Sequence, residues 1–183
     1  MVPDAALPLL PRRHQRADLA ALARAARGGD PAAFEAIVRR YQRRVHGLAL
    51  HHLHDAHEAQ DLAQEIFVRL YRNFDRFDPD RPFEPWFWRL AANAAVNYSR
   101  SRPAPPSDRS PEASEEPAPE GFMPLQRALA DLDQSLRLPL LLHYYLDVSL
   151  ADVAAALELS LPAVKSRLHR GRRLLRQALS EEV

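Results

Sequence analysis

The sequence of 183 residues contains no cysteine and only five glycines. Without cysteine, the chain has no disulfide, no thiolate metal site and no cysteine nucleophile. The glycines, at positions 28, 29, 47, 121 and 171, do not have the spacing of a P-loop or a dinucleotide fingerprint. Nucleotide-dependent catalysis is therefore not expected, and we predict neither a cofactor nor an enzymatic activity.

Long apolar runs are also missing. No stretch of the sequence approaches the roughly 20 apolar residues that span a bilayer. The first eight residues include an acid and two prolines, where a signal peptide would have a basic start and an apolar run. We therefore predict no membrane insertion and a cytoplasmic location. Alternation of apolar and polar residues is absent too, which leaves an all-α fold as the prediction.

Proline and charge divide the chain into two small helical domains. Residues 1–15 are rich in proline and aperiodic, and we predict that they form a disordered tail. Residues 103–124 are dominated by Pro, Ser, Ala and Glu and carry a charge of −4, which is typical of a flexible linker. The predicted domains are then residues 16–102 and 125–183. The second ends in a segment of charge +4, as expected for phosphate contact.

The first domain is predicted to begin with two helices separated by glycine. The first helix starts near Asp18 and ends at Gly28 and Gly29, because glycine readily takes the left-handed conformation that ends a helix. Asp30 followed by Pro31 is typical of a helix start, with an acidic N-cap and proline at the first position. The second helix has an apolar stripe of Phe34, Ile37, Val38, Tyr41, Val45 and Leu48.

A third predicted helix combines an apolar stripe with an acidic side. The apolar residues recur at spacings of three and four, and they are Ala63, Ile66, Phe67, Leu70, Tyr71 and Phe74. Asp61, Gln64 and Glu65 lie off that stripe. Pro79 and Pro82 then interrupt the helix, because proline lacks the amide donor and disfavours helical backbone before it.

A fourth predicted helix starts near Phe83 and has two contrasting faces. The face predicted to be buried consists of Phe83, Phe87, Leu90, Ala91, Ala94 and Tyr98. The opposite face consists of Arg89, Asn93, Val96 and Arg100, with Trp86 and Asn97 on one flank and Trp88 on the other. Rings, amides and cations on one face suit unpaired nucleic-acid bases and their phosphates. The alternative is that both tryptophans belong to the core and the arginines are merely solvated.

Five of the eight histidines lie within twelve residues, at positions 46, 51, 52, 54 and 57. Neutral imidazoles bind zinc or nickel, so a metal site has to be considered. His51, His52 and His54 do not share one helix face, and no carboxylate stands at a recognised ligand spacing. We therefore predict a polar, exposed helix end and no metal site.

The second domain is predicted to end in a helix-turn-helix. Two helices follow the linker, and Pro139 is expected in the first turn of the second. Ser149 with Asp152 three residues later resembles a capping box and opens a short helix. Residues 158–160 form the turn. The residues predicted to face inward are Leu150, Val153, Ala154 and Leu157 in the short helix, and Leu161, Val164, Leu168, Gly171 and Leu175 in the last one.

The last helix carries a polar outer face, formed by Lys165, Ser166, His169, Arg170 and Arg173. In a helix-turn-helix the second helix enters the major groove, and its N-terminal outer residues reach the base edges. The alternative is a solvated basic helix. The agreement of cap, turn and charge favours DNA binding.

Four segments occur in order along the chain: GDPAAFE at 29–35, QDLAQEIF at 60–67, FEPWFWRLAAN at 83–93 and VKSRLHR at 164–170. Together they resemble the motifs of extracytoplasmic-function (ECF) sigma factors, a two-domain class of bacterial transcription initiation factors. The resemblance covers residues 18–179. It implies a sigma region 2 domain, a sigma region 4 domain, and binding to core RNA polymerase and promoter DNA. An anti-sigma factor is an expected further partner.

The resemblance also implies roles for individual residues. Those expected to dock on the clamp helices of the largest polymerase subunit are Asp61, Gln64 and Glu65. Those expected to melt and read the minus-ten element are Phe77, Phe83, Trp86, Trp88, Arg89, Asn93, Asn97 and Arg100, with the loop 77–83 as a pocket for a flipped base. Those expected to read the minus-thirty-five element are Lys165, Ser166, Arg167, His169, Arg170 and Arg173.

Two other functions are open at this point. A helix-turn-helix regulator that never touches polymerase would explain the second domain but leave residues 58–102 without a purpose. A metal-binding or enzymatic helical protein would use the histidine cluster. Co-purification with core polymerase and metal analysis of the purified protein would separate these alternatives.

Overall fold

A computed structural model describes residues 12–101 and 122–181, and these residues form eight α-helices without a strand. The helices of the first domain are α1 (Arg12–Arg27), α2 (Pro31–Leu53), α3 (Ala56–Asn73) and α4 (Phe83–Arg100), with a 3₁₀ turn at Phe74–Arg76. Those of the second are α5 (Phe122–Ala130), α6 (Gln134–Leu140), α7 (Leu150–Leu157) and α8 (Leu161–Glu181), with a π-helical turn at Leu141–Tyr145. The all-α fold in two domains is confirmed.

The predicted start of the chain has to be corrected. Helix α1 begins at Arg12, so residues 12–15 are helical, whereas we expected residues 1–15 to be disordered. Arginine, glutamine and alanine are good helix formers, and they extend the helix N-terminally from its apolar part. Residues 1–11 lie outside the described residues. The linker 103–124 also lies outside them, except that α5 already includes residues 122–124.

The glycine and aspartate between α1 and α2 act as predicted. Gly29 takes a φ of 91°, which only glycine adopts without strain, and the Asp30 amide donates to the Ala25 carbonyl to close the end of α1. The Asp30 carboxylate then accepts hydrogen bonds from the amides of Ala32 and Ala33 and caps α2. A chain reversal of three residues results, and α1 packs along α2.

Helix α3 buries a stripe slightly different from the predicted one. Its buried side chains are Ala59, Leu62, Ile66 and Leu70. Ala63 and Phe67 lie at the edge of the stripe, but Tyr71 is 72% exposed, contrary to prediction. The stripe is centred one residue before Tyr71, which turns that ring about 100° away from the core.

Helix α6 also departs from expectation. We placed Pro139 in its first turn, but Asp133 caps the helix and Pro139 is its sixth residue. Proline cannot donate to the preceding turn, and the chain continues beyond it as a π-helical turn. Pro139 is nevertheless buried, like its neighbours Leu138 and Leu140.

The two domains pack against each other. Helix α7 lies along α4, and α2 contacts α5, α6 and the π-helical turn. In the part of the chain that the structure describes, no helix is long and apolar enough to cross a membrane.

Candidate nucleic-acid interface

Helix α4 is supported from below by a polar and aromatic network. The Tyr41 hydroxyl donates to the Glu84 carboxylate at 2.9 Å, and the Arg44 guanidinium lies 3.5 Å from the same oxygen. The guanidinium also stacks over the Trp88 ring, 4.9 Å from its centroid. Burial, with the Glu84 charge next in importance, raises the pKa of Tyr41, so its hydroxyl stays protonated. The network fixes the first turns of α4 on α2.

The outer face of α4 presents polar side chains to solvent. Arg89, Asn97 and Arg100 are exposed, and Asn93 is half-buried between them. Trp86 is also half-buried, because its inner edge rests on the rings of Phe74, Phe77 and Phe83. The structure therefore brings together five of the eight residues expected at the minus-ten element.

The other three are not on the surface. Phe77, Phe83 and Trp88 are 2%, 3% and 2% exposed. The two phenylalanines pack edge to face at 5.5 Å, and Trp88 lies between Tyr41, Phe87 and Arg44. Because these side chains are buried, DNA cannot reach them in this arrangement. Burial of their apolar rings instead holds α4 in place. The alternative that both tryptophans are core residues is correct for Trp88, whereas Trp86 is only half-buried.

The loop before α4 limits its own negative charge. The Asp78 carboxylate accepts a hydrogen bond from the Asp80 amide at 3.0 Å and lies 3.3 Å from the Arg81 guanidinium. The loop 77–83, expected to receive a flipped base, thus offers one cation and two acids at its surface. A negatively charged backbone would meet Arg81 at the rim of this loop.

The acidic side of α3 is accessible. Asp61 and Gln64 are exposed, and Glu65 is half-buried with its carboxylate 2.6 Å from Arg69 one turn later. The exposed ring of Tyr71 follows Gln64 after two turns and lies on the same side. The predicted docking face is therefore a polar patch that is followed along the helix by the half-buried Val68 and the exposed Tyr71 ring.

The helix-turn-helix has the predicted geometry. Ser149 caps α7 by accepting from the Asp152 amide at 3.1 Å, and Glu158 ends α7 in the left-handed conformation. The Ser160 hydroxyl accepts from the Ala163 amide and caps α8. Of the residues predicted to face inward, Leu161 does not, since it is 40% exposed at the first position of α8.

The outer face of α8 is basic and open. Lys165, Ser166, His169, Arg170 and Arg173 are exposed, and Arg167 is half-buried. Within the described residues, no cation of α8 forms an ion pair. These charges can therefore approach phosphates without first breaking internal salt bridges.

The histidine cluster is only in part the exposed helix end that we predicted, since His46 and His57 are exposed but the other three histidines are not. His52 is 2% exposed and hydrogen-bonds to the Ser99 hydroxyl at 2.9 Å. Burial, followed by the nearby Arg137 charge, lowers the pKa of His52 to about 4 and that of His54 to about 3. Among the described residues there is no group of three or more side chains able to hold a metal ion.

Two arginines position the domains, and the sequence patterns did not predict this role for either of them. Arg137 is buried and donates to the carbonyl groups of Leu129, Ala130, Leu132 and His52 at 2.5–2.7 Å. Burial lowers the pKa of Arg137 to about 10, so it keeps its charge at neutral pH. Arg44 supports Trp88. Neither stands in a motif, although an arginine inside the apolar run 136–142 is a signal for a buried, hydrogen-bonded cation.

Family models match both domains. The model of Sigma-70 region 2 matches residues 37–103, and that of Sigma-70 region 4 matches residues 122–175. The exposed face of α4 lies within the first match and the helix-turn-helix within the second. The match to region 2 argues against a helix-turn-helix regulator that lacks a polymerase-associated domain.

Curated relatives and solved structures agree with these matches. The chain is 33% identical to RNA polymerase sigma-H factor of Pseudomonas aeruginosa, over 82% of this chain and 88% of that one. It is 31% identical to the ECF RNA polymerase sigma factor SigW of Bacillus subtilis, over 84% of this chain and 92% of that one. The structure of CnrH in complex with the cytosolic domain of CnrY superimposes with a TM-score of 0.71 at 27% identity, over 91% of this chain and 99% of that one. The chain therefore belongs to the ECF sigma factors of bacterial RNA polymerase.

Proposed function

We propose that this chain binds core RNA polymerase, directs it to specific promoters and assists promoter melting. The observation that carries the proposal is the presence of both sigma domains in one chain, each with an accessible polar face. The chain itself catalyses no reaction in this proposal, and it acts in the cytoplasm without inserting into a membrane.

In the first step, the acidic side of α3 docks on the clamp helices of the largest polymerase subunit. The face contains Asp61, Gln64 and Glu65, and Tyr71 adds an apolar contact at its end. Acidic groups around an exposed ring suit a basic and partly apolar partner surface.

In the second step, α8 enters the major groove of the minus-thirty-five element. The residues assigned to this contact are Lys165, Ser166, Arg167, His169, Arg170 and Arg173. Salt should weaken the contact, because each phosphate that the arginines neutralise releases counterions.

In the third step, the outer face of α4 captures bases of the opened minus-ten element. Trp86 offers a ring for stacking, Asn93 and Asn97 offer amide edges, and Arg89 and Arg100 offer cations for the backbone. Base stacking on a ring contributes about 1 to 3 kcal/mol per base, which offsets an unstacking cost of a few kcal/mol. Phe77, Phe83 and Trp88 support this face from within.

The central experiment is run-off transcription with purified core enzyme on genomic fragments. We expect RNA synthesis from defined start sites that depends on this chain. If no fragment gives a defined start when the chain is present without an inhibitor, the proposal fails.

Two substitutions, each with a control, test the major-groove and docking steps. Arg170→Ala should reduce promoter-directed transcription. Arg176→Ala, at an exposed position about 9 Å further along the helix and about 120° around it, should change it little. Asp61→Arg should abolish co-purification with core polymerase, and the matched charge reversal Glu35→Arg on α2 should not.

Asn93→Ala tests the melting step. Its defect should be larger on duplex DNA than on a template already opened at the minus-ten element, if capture of bases drives opening. An equal defect on both templates would assign Asn93 to base reading alone.

We also propose an anti-sigma factor as a partner. The support is the similarity to CnrH, whose structure holds the cytosolic domain of CnrY. Pull-down from cells with a tagged chain, followed by inhibition of run-off transcription with the purified candidate, tests this partner.

A further inference from the structure

Three hydrogen bonds join α2 of the first domain to the second domain. Arg137 donates to the His52 carbonyl at 2.6 Å, and Arg44 donates to the Leu146 carbonyl at 2.5 Å. His51 Nδ1 donates to the Gln126 side-chain oxygen at 3.0 Å. Two of the three donors are charged, and such bonds are roughly twice as strong as neutral ones. We call this set of contacts the seam.

At the centre of the seam, a tyrosine sits directly over a helical glycine. A Cβ atom placed on Gly47 would lie 2.0 Å from the Tyr145 hydroxyl oxygen and 2.9 Å from its ring. The same ring packs edge to face on His51 at 5.1 Å. Glycine weakens a helix interior, and here the close approach of Tyr145 requires it.

The seam closes α4 against the helix-turn-helix. Helix α4 has a wide buried surface, since Trp88, Ala92 and Ala95 are buried as well as Phe87, Ala91 and Ala94. A helix that packs on one side buries only one stripe, whereas α4 packs against α2 and α3 of its own domain and also against α7 of the second domain.

This closed form does not match the spacing of a promoter. The minus-ten and minus-thirty-five elements are separated by roughly 25 base pairs, which is about 85 Å of B-DNA at 3.4 Å per pair. Helices α4 and α7 are in direct contact. The 20 residues 102–121 between the described parts of the chain span at most roughly 70 Å, and the widths of the two domains add to that reach, so the chain has the length to separate them.

We propose that the free chain inhibits itself through this seam, and that Gly47, Tyr145, Arg44 and Arg137 form the latch that must open before both promoter elements are bound. The inference rests on the function proposed above, which assigns α4 and α8 to the two elements. The docking side of α3 and the outer face of α8 are exposed in the closed form. Polymerase or duplex DNA can therefore bind first, and opening follows.

The test measures the distance between the domains in the full chain. Because the chain has no cysteine, Gln42→Cys and Gln177→Cys, both at exposed positions, take spin labels at two defined sites. Gly47→Gln is the wedge, since its side chain fits only if the Tyr145 ring moves off α2, while glutamine is a good helix former. His46→Gln is the matched control, because it places the same residue at the exposed neighbouring position.

We expect one short distance in the wild-type chain and in His46→Gln, and a shift to long distances in Gly47→Gln with unchanged helix content. If the closed form is about 90% populated, the wedge should lower the sigma concentration for half-maximal run-off transcription by up to about tenfold. Arg44→Gln, which removes a different contact of the seam, should shift the distances in the same direction.

Long distances in the wild-type chain, or short distances in both Gly47→Gln and Arg44→Gln, would overturn the latch. The distance measurement does not need polymerase. A chain that opens as expected but never supports transcription would therefore contradict the proposed function and not the latch. A chain that supports transcription but does not open as expected would contradict the latch alone.

Discussion

The first domain builds its core from aromatic rings, whereas the second builds its core from leucine around a buried arginine. Phe74, Phe83 and Phe87 stack with ring centroids 5.5–5.7 Å apart. The described side chains of the second domain bury no aromatic ring, and Arg137 instead ties the α5–α6 turn together through carbonyl groups. The two cores support two kinds of surface.

The difference fits the roles that we propose for the two surfaces. Capture of an unpaired base needs a ring held at a fixed angle, and Trp86 rests on three other rings that fix it. A basic helix in the major groove needs mainly its position and charge, and a compact aliphatic core is enough to provide both.

The largest effect should come from the ring core. Phe83→Ala removes a buried ring that contacts Phe74, Phe77 and Phe87, and should lower the free energy of unfolding of the first domain by about 3 to 5 kcal/mol. Denaturant unfolding followed by tryptophan fluorescence measures this free energy, since both tryptophans lie in the first domain. Tyr71→Ala, at an exposed ring, should change stability by less than about 0.5 kcal/mol.

The second domain should depend on Arg137 in the same way. Arg137→Ala leaves buried carbonyl groups without donors and should cost about 3 kcal/mol. The second domain should then lose its circular dichroism signal before the tryptophan fluorescence of the first domain changes. Arg127→Ala on the exposed side of α5 is the control, and equal behaviour of the two variants would show that the buried arginine does not hold this core.

How far these features follow from the sequence differs between local signals and long-range contacts. The caps at Asp30 and Ser149, the glycine after α1 and the turn at residues 158–160 are local signals, and the structure has all of them. The roles of Arg44, Arg137 and His52 depend on contacts between residues 47 to 102 positions apart. Periodicity along one helix does not indicate such contacts. For this reason the sequence predicts surface positions for Trp88 and His52, although both are buried.

Acidification should act on the first domain through its buried histidine. The pKa of His52 is near 6.5 when the chain is unfolded and about 4 when it is folded, because burial and the Arg137 charge disfavour the imidazolium. Its stabilising effect is therefore complete above about pH 6.5 and is lost as the pH falls toward 4. Between about pH 6.5 and 5 the loss should reach about 2 kcal/mol, measured by denaturant unfolding.

The variant His52→Gln should reduce this pH dependence, because glutamine can keep a hydrogen bond to Ser99 without titrating, whereas the part due to His54, whose pKa is also lowered, should remain. His46→Gln, at an exposed position, should leave it unchanged. A pH dependence that stays the same in both variants would assign it to other groups.

The smallest expected effect concerns the cap of the helix-turn-helix. Ser149→Ala removes the acceptor of the Asp152 amide and should destabilise the second domain by about 1 kcal/mol. Thermal unfolding should show it in circular dichroism. Ser180→Ala, near the end of α8, should have less than half that effect, and an equal change in both would mean that the cap adds nothing specific.

The wide turn after Pro139 has a consequence for how this chain tolerates insertions and deletions. A π-helical turn contains one residue more than an α-helical turn, and each residue advances the side chains by about 100°. Deleting one residue within 141–145 would restore ordinary helical register and rotate Tyr145 away from its place on α2. Length variation at this point would therefore change the relation between the domains while leaving the DNA-reading helix intact.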